Sequence, residues 1–422
     1  MTAKKERIAI VGSGISGLAC AYFLSDKYDI KLYEKHDYLG GHSNTVDVEY
    51  DDHKIAVDTG FIVFNHQTYP NLVEFFKLLG VRTEKSDMSF GVKMIGSGLE
   101  YSGKNLASVF SQKKNAFNPK FIRMLYDIML FNKRAQNILS WKFDASYSLG
   151  KLLDDLGVRS YFRKYYLLPM SAAIWSCPIE TMLKYPAQSF VRFFKNHGLL
   201  SVSDQPDWYT VTGGSRQYVK KIAAKIKNRY SLGEFIYQIY QDNDKKWVVR
   251  SEKSKETFDK VIMATHADQA LDILVDPSKA VKDVMSKFKF QKNLAILHRD
   301  EAIMPNCPKA WSSWVYSSND KSKELSVTYW MNNLQNINGN YPLFVTLNPN
   351  EEIAKDKIFN SFIYEHPIFD EKAVLAQDKI ESIQGLDGLY FCGAYQKYGF
   401  HEDGLDSALN VINLLGIKAD WQ

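Results

Sequence analysis

The residues best suited to chemistry by type and spacing come first in the chain, at Gly12-Ser13-Gly14-Ile15-Ser16-Gly17. The apolar run Arg7 to Val11 leads straight into them, and Leu18 to Leu24 continues with a helical pattern. A buried strand that turns through G-x-G-x-x-G into a helix brings backbone close to a pyrophosphate and points amide N–H groups at it. A second strand, Ile30 to Glu34, ends in a carboxylate about 20 residues past the turn, the spacing at which an acid binds a ribose diol and repels a 2′-phosphate. Gly40 and Gly41 follow in a polar loop, and such a pair lets backbone lie along a ligand. The chemistry implied is dinucleotide binding.

The elements that must position these residues follow the same alternation. Pro70 opens a helix through Leu72, Phe75, Phe76 and Leu79, and Gly80 closes it. Phe90 to Met94 and Leu99 to Tyr101 read as a hairpin around Gly96-Ser97-Gly98. Tyr101 stands where a second nucleotide loop would need its third glycine. From Lys104 to Lys164 the pattern is helical and basic, with twelve Lys and Arg against four Asp, a net +8. This stretch reads as a solvated helical face or as a surface for anionic headgroups or an acidic carrier. Leu167 to Trp175 reads as a buried helix. A turn at Gly213-Gly214 precedes the helix of Val219 to Ile226, and strands near Trp247 to Ser251 and Lys260 to Thr265 return to the nucleotide fold. Leu294 to His298, Trp311 to Tyr316, Leu325 to Trp330 and Leu343 to Leu347 predict a mostly antiparallel sheet over a pocket. Gly388 to Ala394 is a last buried strand ending in glycine, and a helix runs from Leu405 to Leu415.

Composition narrows the function. The chain has 422 residues, long enough for two domains, with 45% hydrophobic and 24% charged residues. A net charge of +5 is too mild to imply nucleic acid. No apolar run reaches the roughly 20 residues of a membrane helix. Met1 to Arg7 leads into the first strand without a signal-peptide core, so a cytoplasmic protein is expected. Cys20, Cys177, Cys307 and Cys392 are too scattered for zinc or a disulfide framework, and no metal is expected.

The stretches VGSGISGLACAYFL, YEKHDYLGGHSNT, VDTGFIVFN, AAIWSCP, TVTGGSRQYV, VIMATHADQAL, VTYWMNNLQ and YFCGAYQKYGFHEDGLDSALN together resemble the flavin-containing amine oxidase, protoporphyrinogen oxidase and phytoene desaturase superfamily over essentially the whole chain. They are similar also to bacterial predicted NAD/FAD-binding proteins, which look like the oxidase-like region of plant cyclopropane fatty acid synthases. The resemblance implies an α/β fold, with a Rossmann-type, amine-oxidase-like FAD-binding domain and an inserted α+β substrate domain. Residues 1–88, 205–275 and 376–422 would form the first, and 89–204 and 276–375 the second. It further implies FAD, with the pyrophosphate at Gly12, Gly14, Ser16 and Gly17 and the ribose at Glu34; the link is expected to be non-covalent, because Cys392, the cysteine nearest the expected flavin, falls at the strand end that faces the phosphates. Lys35, Gly40, Gly41, His42 and Thr45 would lie along the phosphates and ribityl chain, and Gly393, Glu402, Asp403 and Gly404 would approach the flavin from the last helix. Many members carry Arg after the glycine pair. This chain has His42, which offers one ring donor in place of a fork.

A single nucleotide loop argues against a two-nucleotide reductase and for an FAD-dependent oxidoreductase that removes hydride from an organic substrate. A fold relative acting as an isomerase or as a non-catalytic partner of a lipid-modifying enzyme, and an NAD-binding protein without flavin, are the alternatives. No catalytic base follows from spacing. Tyr395, Tyr398, Phe400 and His401 are the pocket candidates, with Lys292 beside them. The expected substrate is a small molecule or lipid, specifically an acyl chain of a membrane lipid, with a small amine as the rival. Peripheral docking to the inner membrane face is expected on the strength of the basic stretch, and no nucleic-acid partner is.

Overall fold

The computed structural model describes residues 5–139, 144, 146–201, 206–319 and 326–422. Lys142 of the basic stretch, Leu325 of an expected strand and the 204/205 boundary lie outside the described residues.

The strand Arg7–Val11 sits at the centre of a five-stranded, all-parallel sheet, ordered Tyr230–Ser231, Asp29–Tyr33, Arg7–Val11, Lys260–Met263, Leu389–Phe391. Its near-continuous apolar run has a physical cause, since a parallel strand is covered on both faces. Alternation sends Ile8 and Ile10 to the face covered by the helices Ile15–Leu24 and His401–Leu414. Ala9 and Val11 go to the other face, under the antiparallel strands Ile236–Gln241, Trp247–Ser251 and Lys255–Phe258. This sheet gathers strands from the beginning, middle and end of the chain.

The second sheet has seven strands, ordered Ile358–Ile368, Lys289–His298, Phe344–Leu347, Ser326–Trp330, Trp314–Ser318, Phe90–Met94, Leu99–Ser102. It is antiparallel except where Phe90–Met94 runs parallel to Trp314–Ser318. The strand Ile358–Ile368 is one that the sequence pattern does not announce. The structure accommodates its Pro367 by placing the strand at the sheet edge, where one row of N–H groups has no ladder to join. The helices Pro119–Ile138, Leu149–Asp155, Leu168–Trp175 and Ala187–Asn196 share one apolar core with this sheet. The short helices Lys279–Met285 and Glu371–Gln377 pack instead against the parallel sheet, with Val281, Val284, Ala373 and Ala376 buried there. The helix Pro70–Leu79 begins at its proline and ends at Gly80, which has φ 60°.

A buried carboxylate ties the two sheet systems together. Asp58 is fully buried and accepts from the Thr45 hydroxyl at 2.5 Å, the Ser215 N–H at 2.9 Å, the Ser215 hydroxyl at 2.7 Å and the Gln335 amide at 2.9 Å. Its own N–H donates to Gln335 Oε1 at 2.8 Å. Loss of hydration outweighs these donors and raises the carboxyl from 3.8 to about 6. A raised folded-state pKa contributes stability that is complete below about pH 3.8 and lost as pH rises through about 6. Asp58→Asn turns a donor toward groups that are already donors, so it should cost about 1–3 kcal/mol at neutral pH. Asparagine lacks the proton-linked gain, so the deficit relative to wild type should widen as pH falls from 6 to 4. Urea unfolding across that range measures it, and a deficit that shrinks there contradicts the assignment.

Candidate functional site

The site is built where backbone comes closer to backbone than a Cβ permits. Gly12, at φ 102°, lies so near the strand Lys260–Met263 that a Cβ would stand 2.6 Å from the Ala264 carbonyl oxygen. A Cβ on Gly17 would stand 1.9 Å from the Gly12 carbonyl oxygen, so the helix Ile15–Leu24 can seat on the turn only through glycine. Gly14 differs from both. A Cβ there would meet nothing within 4 Å, which leaves open space before the helix N-terminus where a pyrophosphate needs it. Gly41 crosses close by, its Cβ direction 3.1 Å from Gly14 Cα, so the glycine pair borders the same space.

Glu34 ends its strand as the spacing predicts and is buried, 7% exposed. Its carboxylate accepts from the Ser13 N–H at 2.9 Å, the Ser13 hydroxyl at 2.6 Å and the His36 N–H at 2.9 Å. A carboxylate has about four acceptor positions, so one remains for a ribose hydroxyl. These features fit the pyrophosphate and ribose of a dinucleotide such as FAD: a turn of N–H groups, room in front of it and a carboxylate with spare capacity.

His42 stands beyond the glycine pair with its Nε2 buried and without a partner among the described residues. Its ring packs against Tyr364 at 4.9 Å and His366 at 5.4 Å. Sequence reasoning missed this second group. Asn293 donates to His366 Nδ1 at 2.9 Å, while Asn293 Oδ1 accepts from Asn348 at 2.7 Å. The amide orientation therefore makes Nδ1 an acceptor and leaves the proton of the neutral ring on Nε2. His266 stacks on Phe290 at 4.2 Å and lies 3.4 Å from Glu365. The alternation of Gln291 and Asn293 with exposed Lys292 and Leu294 could have pointed to this face, but only pairing with Ile358–Ile368 reveals what stands opposite it.

The remaining candidates divide by surroundings. His401 Nε2 lies 2.9 Å from the hydroxyls of Ser43 and Tyr218, and its ring stacks on Phe61 at 3.8 Å. Glu402 accepts from the N–H groups of Asn71 and Leu72, both at 2.9 Å, and so caps the helix Pro70–Leu79. Asp403 caps its own helix through the N–H groups of Phe400 and Tyr398, and burial raises its carboxyl to about 7. The Gly404 carbonyl accepts from Ser16 and Ser407, and the Ser407 hydroxyl in turn accepts from the Gly393 N–H at 2.8 Å. Those contacts dock the last helix beside the phosphate loop. Thr45 joins the Asp58 knot, Lys35 is exposed, and Lys292 is exposed rather than lining a buried cleft. Tyr395 packs with Phe288 at 4.9 Å in the core under the parallel sheet. Tyr398 and Phe400 instead meet Phe193 at 5.6 and 5.1 Å, beside Trp175, which lies 4.6 Å from Phe193. The result is an aromatic wall.

Residues 10–79 match the family described as NAD(P)-binding Rossmann-like domain. The chain is 37% identical over 76 residues to the 15-cis-phytoene desaturase of Synechococcus elongatus, a stretch that covers 18% of this chain and 15% of that protein. The chain therefore matches only a small part of that curated relative's length. Across 98% of the chain it superposes on the CLA-producing fatty acid isomerase from P. acnes (TM-score 0.69, 14% identity, 99% of that chain). It also superposes on cyclohexylamine oxidase from Brevibacterium oxydans IH-35A, with a TM-score of 0.70, 13% identity and coverage of 98% of this chain and 100% of the other. The chain therefore shares its fold with these two proteins over nearly its whole length. Within that fold, the segment 10–79 matched as a Rossmann-like domain contains the phosphate loop, Glu34, the glycine pair and Asp58.

Two predictions follow from the loop and the imidazoles. Gly17→Ala should prevent folding, because the methyl meets backbone, whereas Gly14→Val should fold and lose the dinucleotide, because its side chain fills the open space. Glu34→Ala should weaken binding by about 1.5–3 kcal/mol. Circular dichroism with flavin content separates these outcomes, and a Gly14→Val protein that retains cofactor contradicts the site. The second concerns acid. Burial lowers His42 and His266 to about 4 and His366 and His401 to about 3, from 6.5. Depressed histidines contribute stability that is present above about pH 6.5 and lost as pH falls through 4, opposite in sign to Asp58 and more numerous. Unfolding free energy should therefore fall from pH 6.5 to 4 with net uptake of more than one proton. A flat profile would show these rings to be hydrated.

Proposed function

We propose that this protein is an FAD-dependent oxidoreductase that removes hydride from an apolar organic substrate, an acyl chain of a lipid. The observation that carries the reading is the open space at Gly14 between the phosphate loop and the glycine pair, with Glu34 at its end. Gly12, Gly14 and Gly17 would hold the pyrophosphate and Glu34 the ribose, with Gly41 and His42 bordering the chain between them. When bound, FAD supplies the hydride-accepting ring. The chain's own residues orient and exclude water. Tyr398 and Phe400, half-buried against the buried rings of Phe193 and Trp175, offer an aromatic surface to an apolar chain. His366, held in one tautomer by Asn293, keeps an N–H donor in the buried group beside His42.

An amine would call for a carboxylate in that wall. The nearby candidates are engaged elsewhere, Glu402 at the helix Pro70–Leu79 and Asp403 at its own helix. Cys392, buried 4.0 Å from Cys20 between helix and strand, is poorly placed to bond a flavin ring, which supports non-covalent binding.

The test is a purified preparation mixed anaerobically with a lipid extract and, separately, with a panel of simple amines. Yellow colour that acid precipitation releases entirely into the supernatant, and bleaching by lipid alone, are expected. Bleaching by an amine alone overturns the substrate. Conversion of lipid without bleaching makes the protein an isomerase, and a colourless preparation that cannot be loaded with FAD overturns the cofactor.

A further inference from the structure

The helix Pro119–Ile138 wears apolar residues on the side that faces water. Phe121, Met124, Phe131, Ala135 and Ile138 turn inward, as an amphipathic helix requires. Yet Ile122, Tyr126 and Met129, at i, i+4 and i+7, form a second apolar stripe that is 44–58% exposed. Phe117, on the turn before the helix, is 88% exposed. Scattered apolar side chains on a surface need no explanation, but a stripe in register with an exposed aromatic ring does.

Charge says what covers it. Between Lys113 and Arg134 the sequence has six basic residues and one acid, Asp127. That acid is buried, paired at 3.1 Å with both Arg123 and Arg159. Lys113, Lys114, Lys120 and Lys133 are exposed around the stripe, and Arg123 lies over the exposed Tyr126 ring at 4.7 Å. Beside the stripe, Arg123, Arg134 and Arg159 line a cavity of about 230 Å³ floored by Leu130, Phe131 and Phe162. A second copy of the chain would set this positive face against itself, since a two-fold contact is self-complementary. An anionic lipid surface opposes no charge of like sign, and it takes apolar side chains at the depth of the acyl boundary.

We infer that this face docks the protein on anionic phospholipid bilayers, with Phe117, Ile122, Tyr126 and Met129 entering the headgroup–acyl boundary and Arg123, Arg134 and Arg159 meeting lipid phosphates. The inference goes beyond the proposed oxidoreductase reading, because docking is read without turnover or flavin.

The test is co-sedimentation of the full chain with phosphatidylglycerol–phosphatidylcholine vesicles and with pure phosphatidylcholine vesicles, at low and high salt. Binding to the anionic vesicles alone, weakened by salt, is expected. Lys120→Ala and Lys133→Ala should each weaken it roughly five-fold, corresponding to about 1 kcal/mol per basic residue at the surface. Phe117→Ser should weaken it at both salt concentrations with an unchanged melting temperature. Equal binding to both vesicles, no binding, or variants that bind as wild type would overturn the inference. So would a dimer, detected by sedimentation velocity, that Phe117→Ser dissociates.

Discussion

The whole arrangement depends on backbone meeting backbone at the phosphate loop. Gly12 rests on the Ala264 carbonyl and Gly17 on Gly12, so the first helix seats directly on the central strands. The last helix closes on the same helix through Gly404, where a Cβ would stand 2.8 Å from an Ile15 side-chain carbon. Such contacts put the first thirty residues, the strand near residue 260 and the helix near residue 404 within van der Waals reach of one another. A single methyl at Gly12 or Gly17 would separate them. The open space at Gly14 is the counterpart, because close seating on both sides leaves N–H groups facing a gap that protein does not fill.

Asp58 does for the second sheet what the glycines do for the first. Its acceptor positions are occupied by Thr45, Ser215 and Gln335, from the glycine-pair hairpin, the turn before a nucleotide-domain helix and the loop after a strand of the seven-stranded sheet. A buried charge is tolerated only when its hydrogen bonds are satisfied, and here satisfaction requires all three segments to be present at once. The hairpin Thr45–Asp58, which follows His42, is thereby fixed against the sheet that carries His366. The imidazoles on this boundary stay neutral for the same reason that Asp58 resists ionisation: little water reaches them.

Trp175 and Phe193 of the aromatic wall and the basic helix all lie between Leu106 and Asn196 and share one apolar core, on which Tyr398 and Phe400 pack from the end of the chain. The helix Pro119–Ile138 gives one face to that core and the opposite one to water, while Trp175 and Phe193 stand on helices that pack within it. The exposed apolar and basic face of that helix and the rings of Trp175 and Phe193 are thus held by one packed core.

Local sequence determined the nucleotide fold. The strand, the glycine turn, the helix and Glu34 lie within about thirty residues, and each obeys a spacing set by backbone geometry alone. Pro70 and Gly80 marked a helix for the same reason, as did the apolar run at Leu168–Trp175. What the sequence left open depends on partners far along the chain. Glu402 reads as a candidate beside a flavin, and only the tertiary structure shows that its carboxylate also accepts from the N–H groups of Asn71 and Leu72, more than three hundred residues earlier. His366 is silent in sequence behind Pro367, and only the pairing of an edge strand with Lys289–His298 sets it beside Asn293 and His42. Tyr395 and Tyr398 are three residues apart and alike in sequence, but one is sealed under the parallel sheet and the other joins the aromatic wall. Periodicity and spacing report a residue's own segment. Its hydrogen-bond partner and its access to a ligand are set by which distant backbone packs against it, and that was decided by tertiary structure.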